Sequence, residues 1–398
     1  ADLISAISML SAKNAFFPAR IRSALLACLL ASQTARVAKA EDAIRYKFQD
    51  YAEMGGRVGV KVHGVAIEKS LGTADQLKVD GVIDAIAGAT PTGQPAPAGS
   101  DQVPLSSLTE RRKAWNAVYS HQFTGSNVAV GAGKSRESDY VSNGWSLNTL
   151  TDFNQKNTTL LLGVAGTADE VRVFHRKEWE RKRSLDLIAG VTQLLDPRAS
   201  VTANLTWGRA TGYLADPYKL VQKNTEVIPG VFLPLTFAEN RPAQREKWIG
   251  FVGYNRAFPE AKGTVELSYR FYHDSYDTNA HTIEAAWFQQ LGERWILRPL
   301  VRFHDQGAAS FYHYRLDGTA VTPLAGPPRP NGPFYSSDYR LSALQTFTYG
   351  VKLVWEASAA LQFDAAFERY DRRGTDRVTP QSAYCRANII TVGARFAW

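Results

Sequence analysis

Apolar and polar residues alternate along this chain in stretches of about ten, the period-two pattern of strands with one apolar and one polar face. Sixteen such stretches can be laid down: 44–51, 58–69, 76–87, 112–123, 127–135, 142–153, 157–167, 184–194, 199–210, 246–258, 263–273, 281–291, 294–305, 341–356, 359–371 and 388–398. In the first, Tyr46 and Phe48 oppose Arg45, Lys47 and Gln49. In the last, Trp398, Phe396, Ala394, Val392 and Ile390 share one face, and Ala397, Arg395, Gly393 and Thr391 the other. No run of about eighteen apolar residues interrupts the pattern, so no helix is predicted to cross a membrane.

The connections alternate in length. Short ones at 70–75, 124–126, 154–156, 196–198, 259–262, 292–293 and 357–358 carry the Gly, Asn, Asp and Pro of tight turns. Longer ones intervene at 88–111, 168–183, 211–245, 306–340 and 372–387. Alternating short turns and long loops are the rule of outer-membrane barrels, with the short turns periplasmic. Trp115, Trp207, Trp248, Trp287, Trp295, Trp355 and Trp398 lie near strand ends, where interfacial girdles sit. A last strand closed by an aromatic suits recognition by barrel-assembly machinery. The predicted fold is an all-β, transmembrane, antiparallel up-and-down β-barrel of about 16 strands, with 14 and 18 as the neighbouring even counts, and both termini in the periplasm.

Composition refines this picture. Lys13, Arg20 and Arg22 precede the apolar run 24–31, and Ala38-Lys39-Ala40 offers a small-x-small cleavage site. Residues 1–40 therefore read as a cleavable signal peptide with upstream residues, and 41–398 as the barrel. The leader holds half of the formal net charge of +8, and no basic stretch is interleaved with stacking aromatics, so nucleic acid is not an expected partner. Cleavage removes Cys28 and leaves Cys385 without an intramolecular partner.

The polar faces nominate a lumen lining: Lys61, Lys78, Asp80 and Asp84 early in the chain, then Glu266 and Arg270, Arg298 and Arg302, Asp364 and Glu368. Charges of both signs argue against strong ion selectivity. The apolar run 227–235 inside a long loop needs cover, and is expected to pack over the lumen or against a neighbouring loop; contact with a partner or lipopolysaccharide is the alternative. A rim cluster of His273, Asp274, Asp277, His281, His304 and Asp305 has the donor types for a divalent metal. Its bland reading is polar rim residues that hydrogen-bond loops. No nucleophile elbow, zinc-protease helix or phosphate loop is present, so no catalytic residue is assigned.

Three segments carry a resemblance to a known family: 84–93 (Asp-Ala-Ile-Ala-Gly-Ala-Thr-Pro-Thr-Gly), 211–219 (Thr-Gly-Tyr-Leu-Ala-Asp-Pro-Tyr-Lys) and 269–276 (Tyr-Arg-Phe-Tyr-His-Asp-Ser-Tyr). The chain resembles the proteobacterial family called domain of unknown function 3570. The resemblance implies an outer-membrane barrel and a link to envelope redox chemistry, with lipoproteins or periplasmic redox proteins as partners, and it assigns no site residue. The functional expectation is a porin-like channel for small solutes, set among outer-membrane lipid and lipopolysaccharide. The alternatives are a non-conducting barrel that scaffolds a periplasmic redox or metal-handling assembly, and a barrel-embedded hydrolase. Apart from a divalent metal at the rim, no cofactor is expected.

Overall fold

The structure, a computed structural model, describes residues 42–173, 176–324, 326 and 329–398. The predicted signal peptide lies outside the described residues. The first nine strands are β1 (Ala43–Glu53), β2 (Gly59–Ser70), β3 (Asp75–Pro91), β4 (Leu105–Phe123), β5 (Ser126–Arg136), β6 (Tyr140–Phe153), β7 (Thr158–Arg172), β8 (Trp179–Asp196) and β9 (Ala199–Gly212). Then come β10 (Leu220–Ile228), β11 (Val231–Ala238), β12 (Gln244–Phe258), β13 (Gly263–Asp274), β14 (Asn279–Leu291) and β15 (Trp295–Gln306). The last three are β16 (Leu344–Glu356), β17 (Leu361–Gly374) and β18 (Arg386–Ala397).

Sixteen of these strands form one closed barrel, each antiparallel to its neighbours in chain order, with β12 beside β9 and β18 closing on β1. The remaining two, β10 and β11, form a separate hairpin. Closure satisfies the backbone within the sheet, which is what a bilayer demands of a spanning structure. Every predicted strand is present. Several are longer than expected: β7 and β8 pair as far as Arg172↔Trp179, so much of 168–183 is ladder, and β3 and β4 pair from Asp75↔His121 to Pro91↔Leu105, so much of the stretch 88–111 is ladder rather than loop. Its Gly, Pro and Ser content disguised a continuing register.

The outer face carries the apolar residues. Val65, Ile67, Leu162, Leu187, Leu205, Val252, Ile283, Val301, Phe367 and Val392 are all exposed on the outward side of their strands. Such a belt is unstable in water and fits hydrocarbon; the protein is a transmembrane barrel of the outer-membrane type. Around the short-turn end the belt finishes in aromatics: Trp295 stacks on Trp355 with centroids 5.6 Å apart, Trp355 on Phe363, and Phe396 on Trp398. Pro299 sits within β15 although it has no N–H to donate. The β14–β15 ladder is interrupted there, between Ala286↔Leu300 and Gln289↔Leu297, and resumes in the same register.

Candidate functional site

Two polar regions distinguish the molecule: the inner wall of the barrel and a cap of loops at the end opposite the short turns. Along the inner wall, ion pairs join strands that are neighbours or one strand apart. Arg112 of β4 holds Asp84 of β3 at 2.6 Å, with Asp84 fully buried. Lys78 meets Glu68 at 3.7 Å, Lys182 meets Asp169 at 3.7 Å, and Lys247 meets Asp186 at 2.7 Å. On the far side Arg298 reaches Glu266 at 3.6 Å and Glu284 at 3.9 Å, Arg302 reaches Glu284 at 3.8 Å, and Lys352 reaches Asp364 at 3.2 Å. Asp80, Arg270 and Glu368 share the inward face of their strands.

Lys61 corrects the expected lining. It is exposed on the same face of β2 as Val65 and Ile67, while Val60 is buried. The alternation was right and its direction wrong, because the inward face of β2 is apolar near its start. There Val58 and Val60 pack with Tyr51, Ile86, Tyr370, Cys385 and Ile389. Cys385 is buried in this cluster, and burial raises its thiol above the ordinary range, so it is a poor nucleophile.

The predicted histidine cluster is not assembled. His273 and His281 point outward, where His273 bonds Asn279 at 2.9 Å and His281 bonds the Tyr269 hydroxyl at 2.8 Å. Asp305 accepts from Gln345, also on the outer face. Asp274 and His304 point inward, to Arg245 and Thr282 respectively. Asp277 is a turn residue with φ of 63°. Alternation separates neighbours in sequence onto opposite faces of the wall, so proximity along the chain did not make a site. Among the described residues one carboxylate trio, Glu110, Glu137 and Asp139, brings its oxygens within 4.8 Å of one another at the end of β4 and the β5–β6 turn. Ser138 donates to Glu110, and the Tyr218 hydroxyl donates to Asp139.

The cap is built from loops that leave the barrel at separate places around its rim and meet one another. Its centre is a buried ionic network. Arg340 bonds Asp338 and reaches Asp216 at 2.5 Å. Arg241 bonds Asp338 at 2.7 Å and Glu239 at 2.6 Å. Ser336 donates to Glu239, and Asn240 pairs backbone to backbone with Tyr335. Lys219 donates to the Pro91 carbonyl, and Leu220 N–H to that of Thr92. Arg57 spans from the β1–β2 turn to the carbonyls of Ser382 and Tyr384. Apolar side chains fill between these contacts: Val221, Leu316 and Tyr335 in one cluster, Tyr276, Ala309, Phe311 and Leu341 in another.

Burial alone would raise the Asp338 carboxyl, but Arg340 and Arg241 outweigh it and hold it well below the usual carboxylate range. Asp216 is lowered in the same way, burial being overcome by Arg340 and Lys219. Burial dominates at Glu239 and raises it.

The three segments that carry the family resemblance meet at this end. In 84–93, Asp84 takes Arg112, and Gly93 has φ of 94° with its backbone so close to the Leu220 carbonyl and Ser337 Oγ that a Cβ would sit 2.6 and 2.5 Å from them. In 211–219, Asp216 and Lys219 are network members. In 269–276, Asp274 accepts from the Tyr276 and Thr278 N–H groups and from Arg245, and so fixes the β13–β14 turn.

The run 227–235 departs from expectation. It forms the tip of the β10–β11 hairpin, where Ile228 and Phe232 are each 61% exposed. Only the hairpin base is anchored, through Gln222 to Leu316, Lys223 to Val321 and Asn224 to Asp317. The cover lies instead in residues 213–219, 239–243, 307–324 and 329–343.

No curated protein matches the chain. Among solved structures it is similar to a ferric enterobactin receptor mutant from Pseudomonas aeruginosa (12% identity, TM-score 0.44). It is also similar to a bacterial polysaccharide outer membrane secretin (8%, 0.46) and to CdiB from Acinetobacter baumannii (8%, 0.49). The matches cover 86%, 91% and 91% of this chain and 55%, 99% and 60% of those chains, so the chain spans little more than half the length of the receptor. The family model described as "Protein of unknown function (DUF3570)" matches residues 19–382, and the chain belongs to that family.

Proposed function

We propose that this outer-membrane barrel is a porin-like channel for small solutes whose outer mouth is covered by the cap, with the short turns and both termini in the periplasm. The observation that carries the reading is the inner wall. In a barrel of sixteen strands it is lined with charges of both signs rather than with the interlocking apolar side chains of a solid core. Barrels of this strand number are wide enough for an aqueous path. The balanced pairs suit small polar solutes of either charge rather than one ion.

The cap favours a barrel that is closed at rest, and it is the specific observation behind a second reading, a non-conducting barrel that scaffolds a periplasmic assembly. Planar-bilayer recordings separate the two. For the channel, the refolded chain gives rare conductance steps and Arg340→Ala gives frequent ones, with the Arg298→Ala/Arg302→Ala pair shifting selectivity toward cations. A folded protein that stays silent in both the wild type and Arg340→Ala sinks the channel. Labelling of a cysteine placed at Gly230, in whole cells, tests the orientation separately.

A further inference from the structure

The outer wall is not electrostatically uniform. On β4 to β9, above the apolar belt and toward the cap, the outward face carries exposed Lys113, Lys134, Arg136, Arg181, Arg183 and Arg209. Glu170 of β7 and, on the adjoining β12, Glu246 are the acids interspersed there. Arg209 contacts Glu246 at 3.7 Å and donates to Gln244; Arg183 makes no ion pair with a described residue. On the opposite wall the outer-rim cations have an acid each: Arg369 bonds Asp371 and Asn388, and Arg373 bonds the neutral Gln345, which bonds Asp305, so the two walls differ in the number of acids per cation.

Two recesses lie one above the other on the basic side. The upper, of about 540 Å³, is walled by Trp145 and Leu185 and edged by Asn143, Arg183 and Arg209. The lower, of about 520 Å³, is apolar, with Leu147, Leu187, Leu205, Trp207 and Trp248 around it. The ladders set them in adjacent rows: Trp145↔Gly166, Leu185↔Arg209 and Arg209↔Glu246 above, Leu147↔Val164, Leu187↔Trp207 and Trp207↔Trp248 below. Guanidinium groups above a hydrocarbon groove match a lipid with a phosphorylated head and saturated chains, because Arg forms paired charge-assisted bonds to phosphate oxygens.

We propose that this face binds the phosphorylated glycolipid of the outer leaflet, with a lipid A phosphate on Arg183 and Arg209 and an acyl chain along the Leu147–Trp207 groove. The proposal rests on the orientation given above, in which the cap faces outward, and not on whether the barrel conducts.

The test is isothermal titration of the full chain, purified in detergent, with three lipids: bis-phosphorylated lipid A, the same lipid after dephosphorylation, and phosphatidylglycerol. Saturable binding of the first is expected, weakened about tenfold or more by dephosphorylation and by Arg183→Ala/Arg209→Ala, since each lost charged hydrogen bond is worth about that factor. The Arg183→Lys/Arg209→Lys pair recovers part of the affinity, and Arg373→Ala on the matched wall keeps all of it. Equal binding of the two lipid A forms, equal binding of phosphatidylglycerol, or an equal loss in Arg373→Ala would each overturn the assignment. A Gly230 label that reports the cap in the periplasm would place these arginines at the inner leaflet and overturn the assignment to the outer-leaflet lipid, even where lipid A binds in detergent.

Discussion

The inner wall and the cap use the same contact, a carboxylate against a guanidinium or ammonium, under opposite constraints. In the wall the partners sit on strands that the ladder has already placed: Glu284 and Arg302 are direct register partners, and Lys352 lies on the strand beside Asp364's with every backbone pair formed. In the cap, Asp216 and Arg340 are 124 residues apart, and in place of a ladder there are two isolated bridges, Asn240↔Tyr335 and Tyr312↔Ser336, and scattered backbone hydrogen bonds. The wall would keep its shape without its ion pairs. The cap takes its shape from them, and in a buried setting a single deletion strands the remaining charge.

The largest expected effect follows from that difference. Arg340→Ala leaves Asp338 and Asp216 short of a cation and should destabilise the closed cap by about 3–5 kcal/mol. Limited proteolysis reads this as fast cleavage in 213–243 and 307–343, with the barrel still resistant to heat in detergent; unchanged cleavage would mean that packing alone holds the cap.

Acid should act on the same contacts. Asp338 and Asp216 have folded pKa values below their unfolded ones, so their stabilisation is fully present above the ordinary carboxylate range and is lost as pH falls through the lowered values. Hydrogen exchange of the cap should stay slow at about pH 5 and accelerate only in stronger acid. Acceleration already near about pH 6 would contradict the network as described.

Smaller effects belong to the wall. Lys352→Ala removes a largely buried pair, 21% and 13% exposed, but the ladder still holds both strands, so urea stability should fall by only about 1 kcal/mol. A loss beyond about 2 kcal/mol would erase the distinction between wall and cap. Smallest of all, replacing 227–235 by a short Gly-Ser turn should alter neither cap protection nor conductance, since among the described residues the anchoring contacts lie at the hairpin base, not at this exposed tip. A rise in conductance would restore it as a plug.

Much of this fold was legible because a membrane barrel writes a two-residue period into every strand. All sixteen barrel strands and the inward-facing Asp84, Glu266, Arg298 and Asp364 follow from alternation alone. The direction of the alternation was harder. Lys61 was misassigned because the valines opposite it looked lipid-facing, though Val65 and Ile67 on its own face already pointed the other way. The histidine cluster failed because chain proximity ignores the two sides of a wall. The cap was not visible at all: Asp216, Glu239, Arg241, Asp338 and Arg340 lie in irregular segments, where no period announces which groups will meet. The only signal was indirect, in the family-like segments that supply Gly93, Asp216 and Lys219.

The seam between β1 and β18 has a consequence for how such a molecule comes into being. Eleven register pairs, from Ala43↔Ala397 to Glu53↔Ala387, join the first barrel strand to the last. Until the final strand is delivered, both edges of the sheet are bare, and each bare N–H or C=O in hydrocarbon costs on the order of several kcal/mol. A partly inserted, open sheet is therefore the least stable species on the route, and no order of strand-by-strand entry avoids it. Ring closure and entry into the bilayer must coincide, so the decisive event of biogenesis is a single zippering between segments that were synthesised farthest apart in time.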